Sequence, residues 1–272
     1  MFRDQSLGRR VTDASSAPAM FRPDRLVEAL IEHEQIALAF QPQIDCRTGA
    51  VAGVEALSRW RGADDADKLF KRAAAAGLAE RLSRFAQRRA MRIAAAWEGP
   101  LKGLPLSINL LPEDIVAPNF DAWLLDEVAL AGLDPARLTV EITEGALLAN
   151  PTAAAERLRR LKGENISVAL DDFGTGYASL AYLVELPLDS LKIDRGLVAT
   201  LIESERSRIV VHATIQLARD LGLKTVVEGV ETQAQLQLLS EWGCDLYQGF
   251  LGAPALDEVS LARFVQHSSV AA

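Results

Sequence analysis

Residues 36–60 read IALAFQPQIDCRTGAVAGVEALSRW and contain two β-like apolar runs, 36–44 and 51–60, separated by little more than the segment CRTGA. Such a connection is too short for a crossover helix and suits a hairpin. Hairpins join antiparallel strands, whereas parallel neighbours need a longer crossover. We therefore predict that the first strand of this protein runs antiparallel to the strands that follow it.

Downstream of this hairpin, the chain alternates between short strand-like runs and helix-period stretches. The strand-like runs are PLSINL, LTVEIT, ISVALDDF, SLKID, KTVVEGV and DLYQG. Helical periodicity marks residues 22–34, 152–161, 205–221 and 233–242. Eight strands with mostly helical connections predict an α/β fold, a (β/α)8 TIM-like barrel with the first strand antiparallel to the other seven.

The length and hydrophobic content predict one large domain, since the chain has 272 residues of which 49% are hydrophobic. We assign this domain to residues 21–268. Residues 1–20 are polar and rich in small side chains, which is typical of a flexible lead or linker. Residues 269–272 are expected to be a disordered tail.

Charge and cysteine content exclude several classes of function. The net charge is -8, from 29 basic and 37 acidic residues, which argues against polymeric nucleic acid and anionic membranes as partners. No run approaches the ~20 apolar residues of a membrane span, so a cytoplasmic protein is expected. The two cysteines lack CxxC spacing and predict neither a disulfide framework nor a thiolate zinc site.

Several of the strand-like runs end in an acidic, amide or amine side chain, and in parallel α/β proteins these ends converge where ligands bind. The residues are Glu55, Asn109, Glu141, Asp171, Asp172, Lys192 and Glu228. Burying unpaired carboxylates is unfavourable, and the single lysine cannot balance them. We therefore predict one or two bound divalent cations. All three histidines lie in helical or terminal segments, so Mg²⁺ or Mn²⁺ is favoured over zinc.

The segment DDFGTGY adds two features to this predicted metal site. Adjacent Asp171 and Asp172 offer one ligand that bridges two ions and another that binds the second ion, an arrangement that clamps an in-line displacement at phosphorus. The loop with Gly174, Thr175 and Gly176 is either a mobile gate beside the metals or an ordinary strand-to-helix turn. Glu144, just past its strand, is expected to accept hydrogen bonds from this loop rather than to bind metal.

The ordered set EALSRW, SIN, EITE, DDFGTGY, KID, EGVE and QGF, spread over about residues 21–264, resembles the EAL-domain family of cyclic di-GMP phosphodiesterases. The resemblance implies hydrolysis of one phosphodiester to the linear 5'-phosphorylated diguanylate (pGpG), with Mg²⁺ or Mn²⁺ as cofactor and inhibition by Ca²⁺. It also implies two ion sites. Glu55, Asn109, Glu141 and Asp171 would hold the first ion, and Asp171, Asp172 and Glu228 the second.

The resemblance also implies roles beyond metal binding. Lys192 would orient and help to activate the attacking water, with Glu228 as the rival general base and Glu55 as a further catalytic group. Residues that would face the substrate or brace the site are Gln41, Leu57, Arg59, Asp194, Glu231 and Gln248. Arg59 fits a phosphate oxygen pair, but an ion pair within the protein is the alternative. For Gln41 and Gln248, guanine recognition and support of the site are both open.

Two departures from the family pattern bear on affinity more than on chemistry. The segment after Trp60 is shorter than usual, with Ala74 where the family has a glutamate, and QGFLGAP replaces a bulkier, basic stretch. A catalytically silent cyclic di-GMP receptor is the competing hypothesis. A magnesium-dependent enolate enzyme is a weaker one, because it leaves DDFGTGY and EGVE without a role.

A homodimer is a further prediction. Residues 177–188, YASLAYLVELPL, are apolar enough to form its interface, or to pack a helix on the barrel instead.

Overall fold

A computed structural model describes residues 22–60, 66–143, 145, 151–174 and 180–268. The predictions made for Glu144, Thr175 and Gly176 lie outside these residues. So do those for the two terminal segments and for the first part of the dimer segment.

Eight strands form a closed barrel in chain order, which confirms the predicted architecture. The strands are β1 (Ala37–Asp45), β2 (Val51–Arg59), β3 (Leu106–Leu110), β4 (Leu138–Thr143), β5 (Ser167–Phe173), β6 (Ser190–Ile193), β7 (Lys224–Glu228) and β8 (Leu246–Gln248). β1 is antiparallel to both β2 and β8, and every other neighbouring pair is parallel. The reversed first strand is therefore confirmed.

The α-helices of the described residues surround this barrel. They are α1 (Arg25–Glu32), α2 (Ala66–Ala75), α3 (Ala79–Ala95), α4 (Pro112–Val116), α5 (Phe120–Ala131), α6 (Pro151–Gly163), α7 (Leu180–Glu185), α8 (Arg195–Ala199), α9 (Glu205–Asp220), α10 (Gln233–Glu241) and α11 (Glu258–Ser268). All four helices that the sequence predicts are present within a few residues of their expected bounds. Among the described residues, no helix is both long and apolar enough to cross a bilayer.

The turn between β1 and β2 explains why the first strand is reversed. Asp45 Oδ1 accepts hydrogen bonds from the main-chain amides of Arg47 at 2.9 Å and Thr48 at 2.7 Å. Gly49 follows with φ +72°, a backbone conformation that glycine adopts without strain. The acidic side chain thus closes the tight turn locally, and the chain returns alongside itself.

The core lies between the strands and the helices outside them. Val140 and Ile142 of β4 are fully buried and belong to the same apolar cluster as Leu158 and Leu161 of α6. They alternate along β4 with Glu141 and Thr143, as the period of two predicts. The outward residues anchor the helices, and the intervening positions are left to face the barrel axis.

Candidate metal centre and substrate cleft

Lys192 lies at the centre of an acidic cluster at the carboxyl ends of the strands. Its ammonium Nζ is within ion-pair distance of four carboxylate oxygens: Glu141 Oε2 at 2.5 Å, Glu228 Oε1 at 2.8 Å, Asp171 Oδ1 at 3.1 Å and Glu55 Oε2 at 3.3 Å. The Lys192 side chain is 1% exposed. The predicted acidic residues of β2, β4, β5 and β7 therefore do converge, around the lysine of β6.

Amide side chains hold Glu55 in this cluster. Asn109 Nδ2 donates to Glu55 Oε1 at 2.7 Å, and Gln248 Nε2 donates to Glu55 Oε2 at 2.8 Å. Gln248 Nε2 also lies 3.0 Å from Gln41 Oε1. Gln41 and Gln248 thus form a hydrogen-bonded chain to Glu55, which corresponds to the support role that the sequence left open for them.

Asp171, Asp172 and Glu228 form a compact group of carboxylates. Each offers one oxygen, and these oxygens all lie within 4.8 Å of one another. Asp172 has φ +55°, and it lies where the pairing of β5 with β6 shifts register between Leu170 and Phe173. Oxygen donors at this spacing suit a hard divalent cation, and the single ammonium of Lys192 cannot balance five neighbouring carboxylates. The residues present therefore fit the predicted cofactor.

The pKa values of the cluster reflect burial and mutual repulsion. Burial raises the pKa of Glu228 to about 7, although Lys192 opposes the shift. Burial and the neighbouring Glu55 raise the pKa of Glu141 well above its usual value. For Glu55 itself, burial is outweighed by Lys192 and the amides, and its pKa is lowered. The carboxylates place the pKa of Lys192 well above its usual value despite burial, so the ammonium stays charged.

A cleft of about 1190 Å³ opens above the cluster. The predicted substrate-facing residues Gln41, Leu57, Arg59, Asp194, Glu231 and Gln248 all line it. Arg59 Nη1 donates to the carbonyl oxygen of Ser58 at 2.9 Å. Within the described part of the chain Arg59 makes no ion pair, and its side chain lines the cleft.

The family comparison agrees with this geometry. A model of the EAL domain matches residues 24–255, which is most of the chain. The chain belongs to the EAL-domain family. A curated relative from Pseudomonas aeruginosa, the cyclic di-GMP phosphodiesterase NbdA, is 37% identical to this EAL domain over 245 residues, which are 87% of the chain and 31% of the relative. An uncharacterized protein of Azorhizobium caulinodans is 40% identical over 81% of the chain and 31% of its own length.

Solved structures of other EAL proteins share the barrel. The PaMucR phosphodiesterase in complex with c-di-GMP superposes with a TM-score of 0.81 at 31% identity, covering 87% of this chain and 98% of that one. The Klebsiella pneumoniae BlrP1 manganese/c-di-GMP complex has a TM-score of 0.74 at 30% identity, over 82% of this chain and 56% of that one. The chain spans about a third of the length of the first curated relatives that it matches.

Two glycines of the EAL domain allow close approach at the cleft. Gly229, with φ +68°, follows Glu228, and a Cβ there would lie 2.4 Å from the Cβ of Arg195. Gly249 follows Gln248, and a Cβ there would lie 2.2 Å from the carbonyl oxygen of Val230. The glycines of EGVE and QGF therefore let the ends of β7 and β8 pack against each other and against α8.

The sequence did not identify several residues that this EAL domain brings to the site. Gln43 is buried, and its Nε2 lies 3.5 Å from Glu141 Oε1. It stands two residues after Gln41, so the strand period could have found it. Arg195, Phe250 and Gln87 also line the cleft. Arg195 follows the KID motif directly, whereas the helical position of Gln87 carried no such signal.

Proposed function

We propose that this EAL domain is a metal-dependent phosphodiesterase that hydrolyses cyclic di-GMP to pGpG. One observation carries the proposal: the carboxylates of four strands converge on Lys192 at the floor of a cleft that Arg59 lines. Ligand pockets for drug-sized molecules occupy about 300–1,000 Å³. A cleft of about 1190 Å³ has room for a dinucleotide.

The ligand sets proposed for two ions are Glu55, Asn109, Glu141 and Asp171 for one, and Asp171, Asp172 and Glu228 for the other. The compact oxygen triad of Asp171, Asp172 and Glu228 supports the second set. When bound, Mg²⁺ or Mn²⁺ would supply Lewis-acid stabilisation of the phosphoryl oxygens and reverse the negative sign of the site. Without that reversal, the carboxylates would repel a doubly anionic substrate.

The proton transfers fall to this chain's own residues. A product with a 5'-phosphate requires that water oxygen bonds to phosphorus and that the bond from phosphorus to the 3'-oxygen breaks. Glu228 would accept the proton of the attacking water while the charged Lys192 ammonium orients that water, and the 3'-oxygen takes a proton as it leaves. Lys192 carries a positive charge at a point where it can stabilise charge that develops on the phosphoryl oxygens. Its contacts with four carboxylates hold it there.

The other cleft residues would bind the substrate. Arg59 is half-buried and presents a fork of donors that suits two oxygens of one phosphate. Leu57 is two residues from both Glu55 and Arg59, on the same strand face. Asp194 Oδ1 accepts from Gly196 N at 2.7 Å and so caps α8 beside the cleft. Glu231 is exposed at the rim, where it can contact a polar edge of the ligand.

The comparisons support the substrate and cofactor assignments. NbdA is named as a cyclic di-GMP phosphodiesterase, and complexes of BlrP1 with c-di-GMP are described with manganese and with calcium. We propose that Mg²⁺ or Mn²⁺ supports turnover here and that Ca²⁺ inhibits it. A homodimer through residues 177–188 is also proposed, since in the described part of this segment Leu180 and Val184 of α7 are 60% and 76% exposed.

The experiment is hydrolysis of cyclic di-GMP by the purified chain with Mg²⁺, Mn²⁺, Ca²⁺ or a chelator. Chromatography follows pGpG, and calorimetry measures binding in parallel. Turnover with Mg²⁺ or Mn²⁺ that the chelator abolishes supports the phosphodiesterase. Tight binding without turnover would make the domain a silent receptor. The absence of both binding and turnover would contradict the proposed substrate.

A further inference from the structure

A buried polar network lies behind the end of β3, outside the predicted site. Ser83 and Gln87, one turn apart on α3, are each 3% exposed, and Asp114 of α4 is fully buried. Ser83 and Gln87 also line the cleft. Buried polar side chains of this kind oppose folding unless hydrogen bonds compensate for the lost water.

Gln87 is the hub of this network. Its Nε2 lies 2.8 Å from Ser83 Oγ, 3.0 Å from Asp114 Oδ2 and 3.0 Å from the carbonyl oxygen of Asn109. Ser83 Oγ donates to Asp114 Oδ2 at 2.8 Å, and the amide of Leu111 donates to the same oxygen at 2.9 Å. The network therefore holds the main chain on both sides of the point where β3 ends.

The main chain at Asn109 is paired with only one neighbouring strand, so the network adds to the contacts that hold it. The register between β2 and β3 ends at Ala56 and Ile108, whereas Asn109 still pairs with Glu141 of β4. From Asn109 onward, β3 thus has a strand partner on one side only. The Asn109 residue is exposed, and its side-chain amide donates to Glu55. A shift of the Asn109 main chain would move both of these proposed ligands.

The network is also poorly explained as a device for stability alone. In the described residues, Gln87 Oε1 and Asp114 Oδ1 are buried without a hydrogen-bond partner. Apolar side chains of similar size would avoid that penalty. Polar groups that oppose folding yet hold a ligand-bearing strand end are typical of supporting residues around metal sites.

We propose that Gln87 is a positioning residue for the metal centre: it holds the Asn109 carbonyl, with Ser83 and Asp114 orienting its amide, and so sets the affinity of the site for its divalent cation. This inference depends on the proposed function in one respect, which is that Asn109 is taken as a metal ligand.

The test is Mn²⁺ binding to the chelator-stripped full chain, measured by calorimetry, together with kcat and KM at limiting and saturating Mn²⁺. Gln87→Met conserves size and removes the donor, and should weaken Mn²⁺ binding about tenfold. Most of kcat should return at saturating Mn²⁺. Ser83→Ala, a milder change, should shift the affinity in the same direction and keeps the proposal testable if Gln87→Met does not fold.

Arg137→Met is the matched control. Arg137 Nη2 donates to the carbonyls of Ala94 and Leu104 at 2.9 and 3.0 Å, at the opposite end of the barrel. This variant should lower the melting temperature and leave Mn²⁺ affinity unchanged.

Wild-type Mn²⁺ affinity in both network variants would overturn the proposal, as would an equal loss in Arg137→Met. A wild-type chain that binds Mn²⁺ without hydrolysing cyclic di-GMP would contradict the proposed function alone. One that binds no Mn²⁺ would contradict both.

Discussion

The two ends of the barrel use acidic residues in opposite ways. At the amino-terminal end, Asp189 Oδ2 accepts from the Val168 amide at 3.0 Å, and Asp245 Oδ2 accepts from the Thr225 amide at 2.8 Å. Each aspartate precedes one strand and binds the main chain of the preceding strand. At the carboxyl-terminal mouth, the acidic residues instead face one another around Lys192.

The acidic residues at the amino-terminal end therefore contribute to folding stability, whereas those at the mouth are available for metal binding and catalysis. Both aspartates have further local partners, since Asp189 pairs with Lys162 Nζ at 2.9 Å and Asp245 also accepts from the Thr225 hydroxyl at 2.9 Å. Carboxylates that share one ammonium retain unbalanced negative charge, which disfavours the empty site and favours a bound cation. Variants at the mouth should therefore affect metal binding and turnover, whereas variants at the amino-terminal end should affect folding alone.

The largest effect is expected from Glu55→Ala. The change removes a proposed metal ligand and the acceptor for the Asn109 and Gln248 amides, so turnover of cyclic di-GMP should fall by more than about 10³-fold. Chromatographic detection of pGpG measures the loss, and circular dichroism checks that the fold is retained. Near-normal hydrolysis would show that Glu55 binds no essential metal.

Lys192→Ala should reduce kcat by about 10²–10⁴-fold with substrate binding largely kept, because the ammonium acts mainly in the transition state. Glu228→Gln is the companion variant for the choice of general base. Steady-state kinetics over a range of pH would compare them. If Lys192→Ala left kcat unchanged, the lysine would have no part in the reaction.

The pH dependence of folding stability should differ between the metal-free and the metal-bound protein. The Glu228 pKa of about 7 lies above the ordinary value of 4.5, so its contribution to stability is present below 4.5 and is lost as the pH rises through about 7. Metal binding needs the ionised carboxylate, so Mn²⁺ affinity should fall about tenfold per pH unit below about 7. Melting temperatures with and without Mn²⁺ from pH 5.5 to 8 measure both effects. In Glu228→Gln, the stability and the Mn²⁺ affinity should both vary less with pH.

The smallest effect is expected at the amino-terminal end. Asp245→Ala leaves the Thr225 amide and hydroxyl without this acceptor and should lower the free energy of unfolding by about 1 kcal/mol. Mn²⁺ affinity and kcat should not change. Urea unfolding, measured together with the hydrolysis assay, tests this prediction. A drop in kcat would contradict the proposed difference between the two ends of the barrel.

Much of the site was predictable because strand ends are local signals. A strand alternates its faces, so the polar residue that closes an apolar run is marked for the barrel mouth, as Glu141 and Lys192 are. Helical residues carry no equivalent mark. The spacing of Ser83 and Gln87 is compatible with any face of α3, and nothing local distinguishes a polar side chain turned to the core from one turned to solvent.

By itself, the sequence determined the strand order, the reversed first strand and the acidic mouth, because a five-residue connection permits only a hairpin and the strand period assigns each face. Only the tertiary structure decided which amide holds which carboxylate. Gln248 and Glu55 are 193 residues apart in the chain, and Gln87 and Asn109 are 22 apart. Contacts at such separations depend on how β1, β2 and β8 close the barrel and how α3 packs on β3, which no local pattern specifies.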